Sequence, residues 1–522
     1  MTSIPRAEEK ELSEFVRSCV TFTTNVSFTD IGSYISNQKN ELSSPFALLI
    51  GTHAQLRDAA VQKLPLYCPA VAEAIERVKE GEVYGVLAEG IANKAGERFV
   101  RVVVGEVPAK ASRTNCPARP DVISALVTTA LEEVKNINST VDIFVRSDAA
   151  IAVAVAVARS GKHSFSAKDG VAAKAYCSNS VARLQVIFPS VPNPSPRELE
   201  VIATSTQLCQ RLVDTPPNLL NTATFAKIAE EYASMLGCDV DIICGNDLCE
   251  QGYGGMYSVG KAAAEAPRLV TLTYIPDKKP VKKVALVGKG IVYDCGGLAL
   301  KPADFMKSMK HDMGGAAAVF CGFLSAVRLR QPVQLSCTLC LAENAIGPKS
   351  YRNDDIIVMK SGKTVEVNNT DAEGRIVLGD GVFHATNELS FVPDVLIDMA
   401  TLTGAQGIAT GRRHAGLFVS EEEAEIAFLR AGRETGETCF PVLYCPEYHI
   451  PEFKSNHADM TNLMQHRDNA GVSCGGQFVA NHLSPRFKGA HVHVDLAFPT
   501  FDSNGATGFG AALLTGYFRN LC

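Results

Sequence analysis

The chain has 522 residues, 46% hydrophobic and 20% charged, enough apolar material for two or three domains with sizeable cores. A formal net charge of −6 without any long basic run argues against a dedicated nucleic-acid binder. The longest strongly apolar run, Ala149 to Ala158, is far short of the roughly twenty residues that a membrane-spanning helix needs.

The start, MTSIPRAEEKELSEF, is charged and lacks the apolar core of a signal peptide, so a cytoplasmic protein is expected. The sixteen cysteines show no framework spacing and are expected to stay as thiols. Strand-like runs FALLIG, RFVRVVVGEV and VDIFVRS alternate with the helical VISALVTTALEEVKNI. They predict a smaller N-terminal α/β domain over 1–187. The stretch FPSVPNPSPRELE is too rich in proline to continue a helix or a central strand. It opens a linker and connecting helix over 188–218, stopped by Pro216 and Pro217. From 219 to 522 the strand-like VDIIC, LVTLTYI, KVALVG, VQLSCTLCLA, VLIDMA, AGLFVS and HVHVDLAF alternate with helical stretches. This predicts a larger C-terminal domain, α/β in class, with a mixed, mostly parallel sheet flanked by helices.

Two short motifs in this half carry little. Gly255 to Lys261, GMYSVGK, has P-loop spacing, but Ala262 stands where Ser or Thr should hold magnesium, and no apolar strand precedes it. Cys337 and Cys340 form a CxxC inside an apolar run without a second pair at zinc spacing, so core packing is expected.

The chemistry concentrates in two segments. LVGKGIVYDCGGLALKPADFMKSMKHDMGGAA, residues 286–317, holds Lys289, Asp294, Lys301 and Asp312 among glycines that let backbone approach a bound group. Met309 and Asp312, three apart, would share a helix face. VNNTDAEGR follows the strand-like KTVEV and precedes a helical run. If its charged residues are extended, Asp371, Glu373 and Arg375 share one face at a strand end, where open α/β sheets bind ligands.

Four carboxylates at strand ends, Asp294, Asp312, Asp371 and Glu373, repel one another unless something positive lies between them. Two divalent ions with oxygen ligands would serve, and could activate a water. The chain has no HExxH. His491, His493 and Asp495 in HVHVD are read as strand packing, and Cys295 as a small neighbour of Asp294.

NTDAEGR (369–375), with VGKGIVYDCGG, DMGGAA, ATLTGA (400–405) and LVDTPPN, resembles the leucyl aminopeptidase (cytosol aminopeptidase) family over roughly 200–522. The resemblance implies removal of N-terminal residues, Leu and other apolar ones preferred, by two-metal activation of a bridging water. It implies two ions held by Lys289, Asp294, Asp312, Asp371 and Glu373, with Asp294 and Glu373 shared or nearly so. Zinc is the family's metal, exchangeable with manganese, magnesium or cobalt. Lys289 must be a neutral amine to donate a lone pair. Lys301 and Arg375 would be the catalytic pair, Lys301 steadying the oxyanion and Arg375 holding a bicarbonate as general base. On this reading Ala372 and Gly374 leave room for substrate. Met309, Thr401, Leu402 and Gly404 match the side-chain pocket. The partners implied are short peptides with a free N-terminus and further copies of the chain in a homo-hexamer, with neither membrane nor nucleic acid. A binding protein on the same fold, a degenerate homologue and a Cys-Gly dipeptidase are the competing readings. The chain departs from the family at Arg352-Asn353-Asp354-Asp355, usually Arg-Pro-Gly-Asp, and at Ile376, usually Leu.

Overall fold

The structure is a computed structural model and describes residues 7–38, 42, 44–89, 91, 99–134, 140–160, 165 and 182–521. It divides into two compact units, one of 1–21, 208–431 and 437–522, the other of 22–207 with 432–436. Compared with a contiguous 1–187, 188–218 and 219–522 division, the described residues 7–21 join the larger unit. The break also falls inside the connecting helix Pro196–Asp214 rather than before it.

The smaller unit holds a six-stranded sheet. Its order is Val26–Asp30, Arg183–Phe188, Thr140–Val145, Phe46–Gly51, Phe99–Glu106, Val83–Glu89. Every pair is parallel except the last. The apolar run at 149–158 is a wholly buried core helix, Ala150–Ala158. Among the described residues no helix is long and apolar enough to cross a membrane.

The larger unit is built on an eight-stranded sheet. Its order is Cys439–Pro441, Ala415–Val419, Ala490–Asp495, Val395–Ala400, Lys282–Asp294, Val333–Asn344, Arg268–Tyr274, Asp239–Cys244. The four strands 490–495, 395–400, 282–294 and 333–344 run parallel to one another. The outer pairs are mixed, with 415–419 and 268–274 joined antiparallel to this block. These central strands are covered on both faces, which is why they read as near-continuous apolar runs. Val395–Ala400 is buried at every position. The helix Gly314–Arg328, apolar all round and buried from Gly314 to Val327, packs on one face. The helix Glu373–Asn387 packs on the same central strand.

The motifs set aside in the sequence become ordinary core. GMYSVG lies within the helix Gly254–Gly260 and Lys261 is its C-cap, so the motif makes no phosphate-cradling loop. Cys337 and Cys340 are buried strand residues, and the described cysteines are free thiols. His491 and His493 both face the buried Asp398, at 2.7 Å and 2.5 Å. Burial would raise the Asp398 carboxyl, but His493 and His491 bring it down to about 2.

Candidate metal centre and active site

All four central parallel strands end at one edge of the sheet. Asp294 closes the first, Asn344 the second, Thr401 follows the third and Asp495 closes the fourth. This is the crevice beyond the carboxyl ends where open α/β sheets bind ligands.

The acidic segment departs from the extended form expected of it. Asp371 sits in a turn, and Glu373 and Arg375 lie in the first turn of the helix Glu373–Asn387. A carboxylate at a helix N-terminus interacts favourably with the helix dipole. The preceding turn is fixed from far along the chain. The Asn462 side chain accepts from Asn368 N at 2.9 Å and Asn369 N at 3.3 Å, and donates to Asn369 O at 2.6 Å. Asp371, Glu373 and Asp294 nonetheless meet: one carboxylate oxygen from each lies within 4.8 Å of the others.

Two lysines stand among these acids. Lys289 Nζ is 2.8 Å from Asp312 Oδ1 and 3.0 Å from Glu373 Oε1, and donates to the Thr401 carbonyl at 2.9 Å. Thr401 Oγ1 also donates to Asp312 Oδ1 at 2.8 Å. Burial works against the Lys289 ammonium, but Asp312, Glu373 and Asp294 outweigh it and raise its pKa. Lys301 Nζ is 2.9 Å from Asp294 Oδ2 and 2.5 Å from Asp371 Oδ1. The loop that carries Lys301 turns at Gly296, where φ is +87 and a Cβ would lie 2.5 Å from the Ala299 carbonyl. Only glycine meets both conditions.

The acids respond differently. Burial first, then the like charges of Glu373 and Asp294, push Asp371 up to about 6. Burial also raises Asp312, against the pull of Lys289. Glu373 is buried too, but Lys289 and Lys301 hold it below the usual carboxylate range. Burial pulls the Arg375 guanidinium down to about 10, and among the described residues no carboxylate forms an ion pair with it.

The donor set fits divalent ions. Asp312 Oδ2 is buried without a hydrogen-bond partner, and hard carboxylate oxygens suit such ions. Arg375 Nε and Nη1 are likewise buried and unpartnered, which fits a small planar anion.

The residues matched to a pocket are spread along two loops. Met309 opens the 3-10 turn Met309–Met313, which also carries Asp312, so the expected shared face is kept although the turn is not α-helical. Thr401 is buried, Leu402 half-buried, and Gly404 exposed with nothing within 4 Å of a Cβ built on it. The departing loop at 352–355 places Asp354 at φ 72, the left-handed region glycine favours, and Arg352 pairs with Asp355 at 2.9 Å.

Sequence reasoning passed over Asn344, Tyr351 and Thr370, and read Asp495 as packing. The Asp495 carboxylate accepts from Leu402 N at 3.2 Å and Thr403 Oγ1 at 2.6 Å, pinning the loop that carries Thr401. Thr370 Oγ1 donates to Gly296 O and accepts from Ala299 N, each at 2.7 Å, and Tyr351 Oη donates to Thr370 O at 2.6 Å. No local periodicity marks these residues. Their one signal is position, since Asn344 and Asp495 each close a central strand.

An α/β sheet whose carboxyl edge gathers carboxylates, one of them with a buried unpartnered oxygen, fits the class of metal-dependent hydrolases. Residues 207–515 match the cytosol aminopeptidase family, catalytic domain, of peptidase family M17, and 45–171 match M17 aminopeptidase N-terminal domain 2. The chain belongs to this family and is a metallo-aminopeptidase. A leucyl aminopeptidase from Trypanosoma brucei in complex with bestatin is 77% identical, with a TM-score of 0.98 over 99% of this chain and 100% of that one. The probable aminopeptidase NPEPL1 of Homo sapiens is 41% identical over 418 residues, 80% of this chain and 79% of the relative. The bottromycin maturation enzyme BotP in complex with Mn is 26% identical, with a TM-score of 0.74 over 92% of this chain and 99% of that one.

Proposed function

We propose that the protein is a leucyl aminopeptidase that releases N-terminal residues, Leu and other apolar ones preferred, from short peptides. The observation that carries this reading is the meeting of Asp294, Asp371 and Glu373 within 4.8 Å at the sheet's carboxyl edge. Those three, with Asp312 and Lys289, would hold two divalent ions, with Asp294 and Glu373 shared or nearly so. Zinc is the expected metal, with manganese, magnesium or cobalt able to exchange. The BotP relative, in complex with Mn, supports manganese as one of the metals the site accepts.

When bound, such a pair supplies Lewis acidity to a peptide carbonyl and lowers the pKa of an attacking water to about 7. Lys289 gives up its proton at Nζ to become a ligand, since an ammonium has no lone pair. Lys301, from its place beside Asp294 and Asp371, donates to the carbonyl oxygen as negative charge develops there. Arg375, with Nε and Nη1 unpartnered, holds a bicarbonate in position as proton acceptor. Met309 and Leu402 give the side-chain pocket its apolar character, Thr401 joins it to the ligand Asp312, and Gly404 leaves its mouth open.

Relatives named cytosol aminopeptidase support a cytoplasmic setting. A homo-hexamer completes the reading. The net charge of −6 gives no support to nucleic-acid binding.

The test compares leucine amide, N-acetyl-leucine amide and aspartate amide on the metal-loaded protein. Leucine amide is expected to be hydrolysed, the acetylated form spared and the aspartate form at least about tenfold slower. Equal cleavage of the acetylated substrate would contradict an aminopeptidase site.

A further inference from the structure

We propose that Asn344 is a positioning residue for both metal sites, its amide fixing Asp294 directly and Glu373 through the Thr370 turn that precedes it. The inference rests on the assignment of those two carboxylates to both ions.

Asn344 reaches them because of an irregularity in the sheet. The strands 333–344 and 282–294 pair in register as far as Ala342 opposite Ile291, and then Asn344 stands opposite Asp294. The 282–294 strand therefore carries one extra residue, a bulge of the kind that re-aims side chains beside active sites. Asn344 is fully buried. Its Nδ2 is 2.9 Å from Asp294 Oδ1, 3.0 Å from Thr370 O and 3.5 Å from Glu373 Oε2. Its backbone carbonyl accepts from Cys295 N at 3.3 Å. One residue thus joins the end of a strand, the turn before Asp371 and the first residue of the 373–387 helix.

Charge separates Asn344 from the other donors. Lys289 must give up its proton to act as a ligand, and Lys301 is assigned to the developing oxyanion, so neither keeps all its present bonds when ions enter. An amide is neutral and keeps its bonds with ions in or out. Together with Gly296 N, which donates to the same oxygen at 2.9 Å, it occupies Asp294 Oδ1 and leaves Oδ2 facing the site. Outer partners of this kind orient ligands, and their removal typically costs about 10–100-fold in metal affinity or activity.

A purely structural role is a poor explanation. The Asn344 Oδ1 is buried without a partner, a cost that an apolar residue of the same shape would not carry. The acceptors it serves also have other donors: Gly296 N for Asp294 Oδ1 and Tyr351 Oη for Thr370 O. The fold does not depend on Asn344 to satisfy them.

The experiment is manganese titration by calorimetry on the metal-stripped full-length protein, with metal content and kcat/KM for leucine amide measured alongside. Asn344→Leu keeps the shape and removes the donor. Asn344→Ala is the second variant, leaving room for water, and metal-free melting checks that each is folded. Both are expected to weaken both binding steps about tenfold or more, with kcat/KM falling in parallel. Thr401→Val, which loses only the bond to Asp312, is expected to weaken one step. Wild-type affinity in both steps for a folded Asn344 variant would overturn the inference while leaving the metal assignment intact. Failure of the wild type to bind two ions would instead overturn the assignment on which it rests.

Discussion

Gly374 and Lys289 are in direct contact: a Cβ at position 374 would lie 2.5 Å from Lys289 Cε and 2.7 Å from Nζ. The glycine of the acidic motif therefore makes room for the lysine. Lys289 cannot swing away cheaply, because Asp312, Glu373 and the Thr401 carbonyl hold its Nζ. Position 374 is the second residue of a helix, where Ala would normally be favoured over Gly by up to about 1 kcal/mol. Gly374→Ala is expected to fold and to lose at least about tenfold in turnover and metal affinity as Lys289 is displaced. Wild-type kinetics in a folded variant would show that Lys289 Nζ need not stay where it is.

Asp495 is expected to act through the loop it holds. Asp495→Ala frees Leu402 N and Thr403 Oγ1, and so loosens the segment that carries the matched pocket residues. KM for leucine amide should rise about tenfold, with a smaller change in kcat, and Asp495→Asn should recover much of the loss because its carbonyl can still accept. A fall in kcat alone would place Asp495 outside substrate positioning.

Met309 tests the pocket. Met309→Asp puts a charge beside an apolar side chain and should lower kcat/KM for leucine amide by about tenfold or more, relative to alanine amide. An unchanged ranking of the two substrates would remove Met309 from the pocket.

Acid stability has an identifiable contributor away from the metal centre. His482 is fully buried, with Nδ1 2.8 Å from Ser361 Oγ, and burial followed by the charge of Lys363 lowers its pKa to about 3. A free histidine titrates near 6.5. The unfolded chain therefore takes up a proton as pH falls below about 6.5 while the fold does not. The stability is whole above that pH and is lost as pH falls towards 3, at up to about 1.4 kcal/mol per pH unit. His482→Gln should shed roughly 2 kcal/mol of the wild-type loss between pH 7 and pH 5, read from denaturant unfolding. Parallel pH profiles for the two proteins would exclude this role.

The strands were legible in the sequence because burial on both faces leaves runs such as VALVG, residues 284–288, unbroken by polar residues. The metal-centre residues were legible as types, since carboxylates and lysines so close in number have few bland explanations. Their local structure was not. The alternation of Asp371, Glu373 and Arg375 imitates a strand period, whereas the turn before the helix is set by Asn462, more than ninety residues along the chain. Asn344 and Asp495 escaped for the same reason: their partners are distant in sequence, and a lone polar residue closing a strand carries no pattern. The place of residues 7–21 in the catalytic unit was hidden likewise, as in the bond from Tyr232 Oη to the Cys19 carbonyl at 2.9 Å.

The most direct measurement is release of leucine from leucine amide by the metal-stripped protein, before and after manganese, zinc or cobalt is restored, with bound metal counted in the same samples. Two ions per chain and turnover only after restoration are predicted, with turnover abolished in Glu373→Ala. Folded protein that holds its ions and releases no leucine, or Glu373→Ala that retains wild-type turnover and metal content, would contradict the assignment of this site.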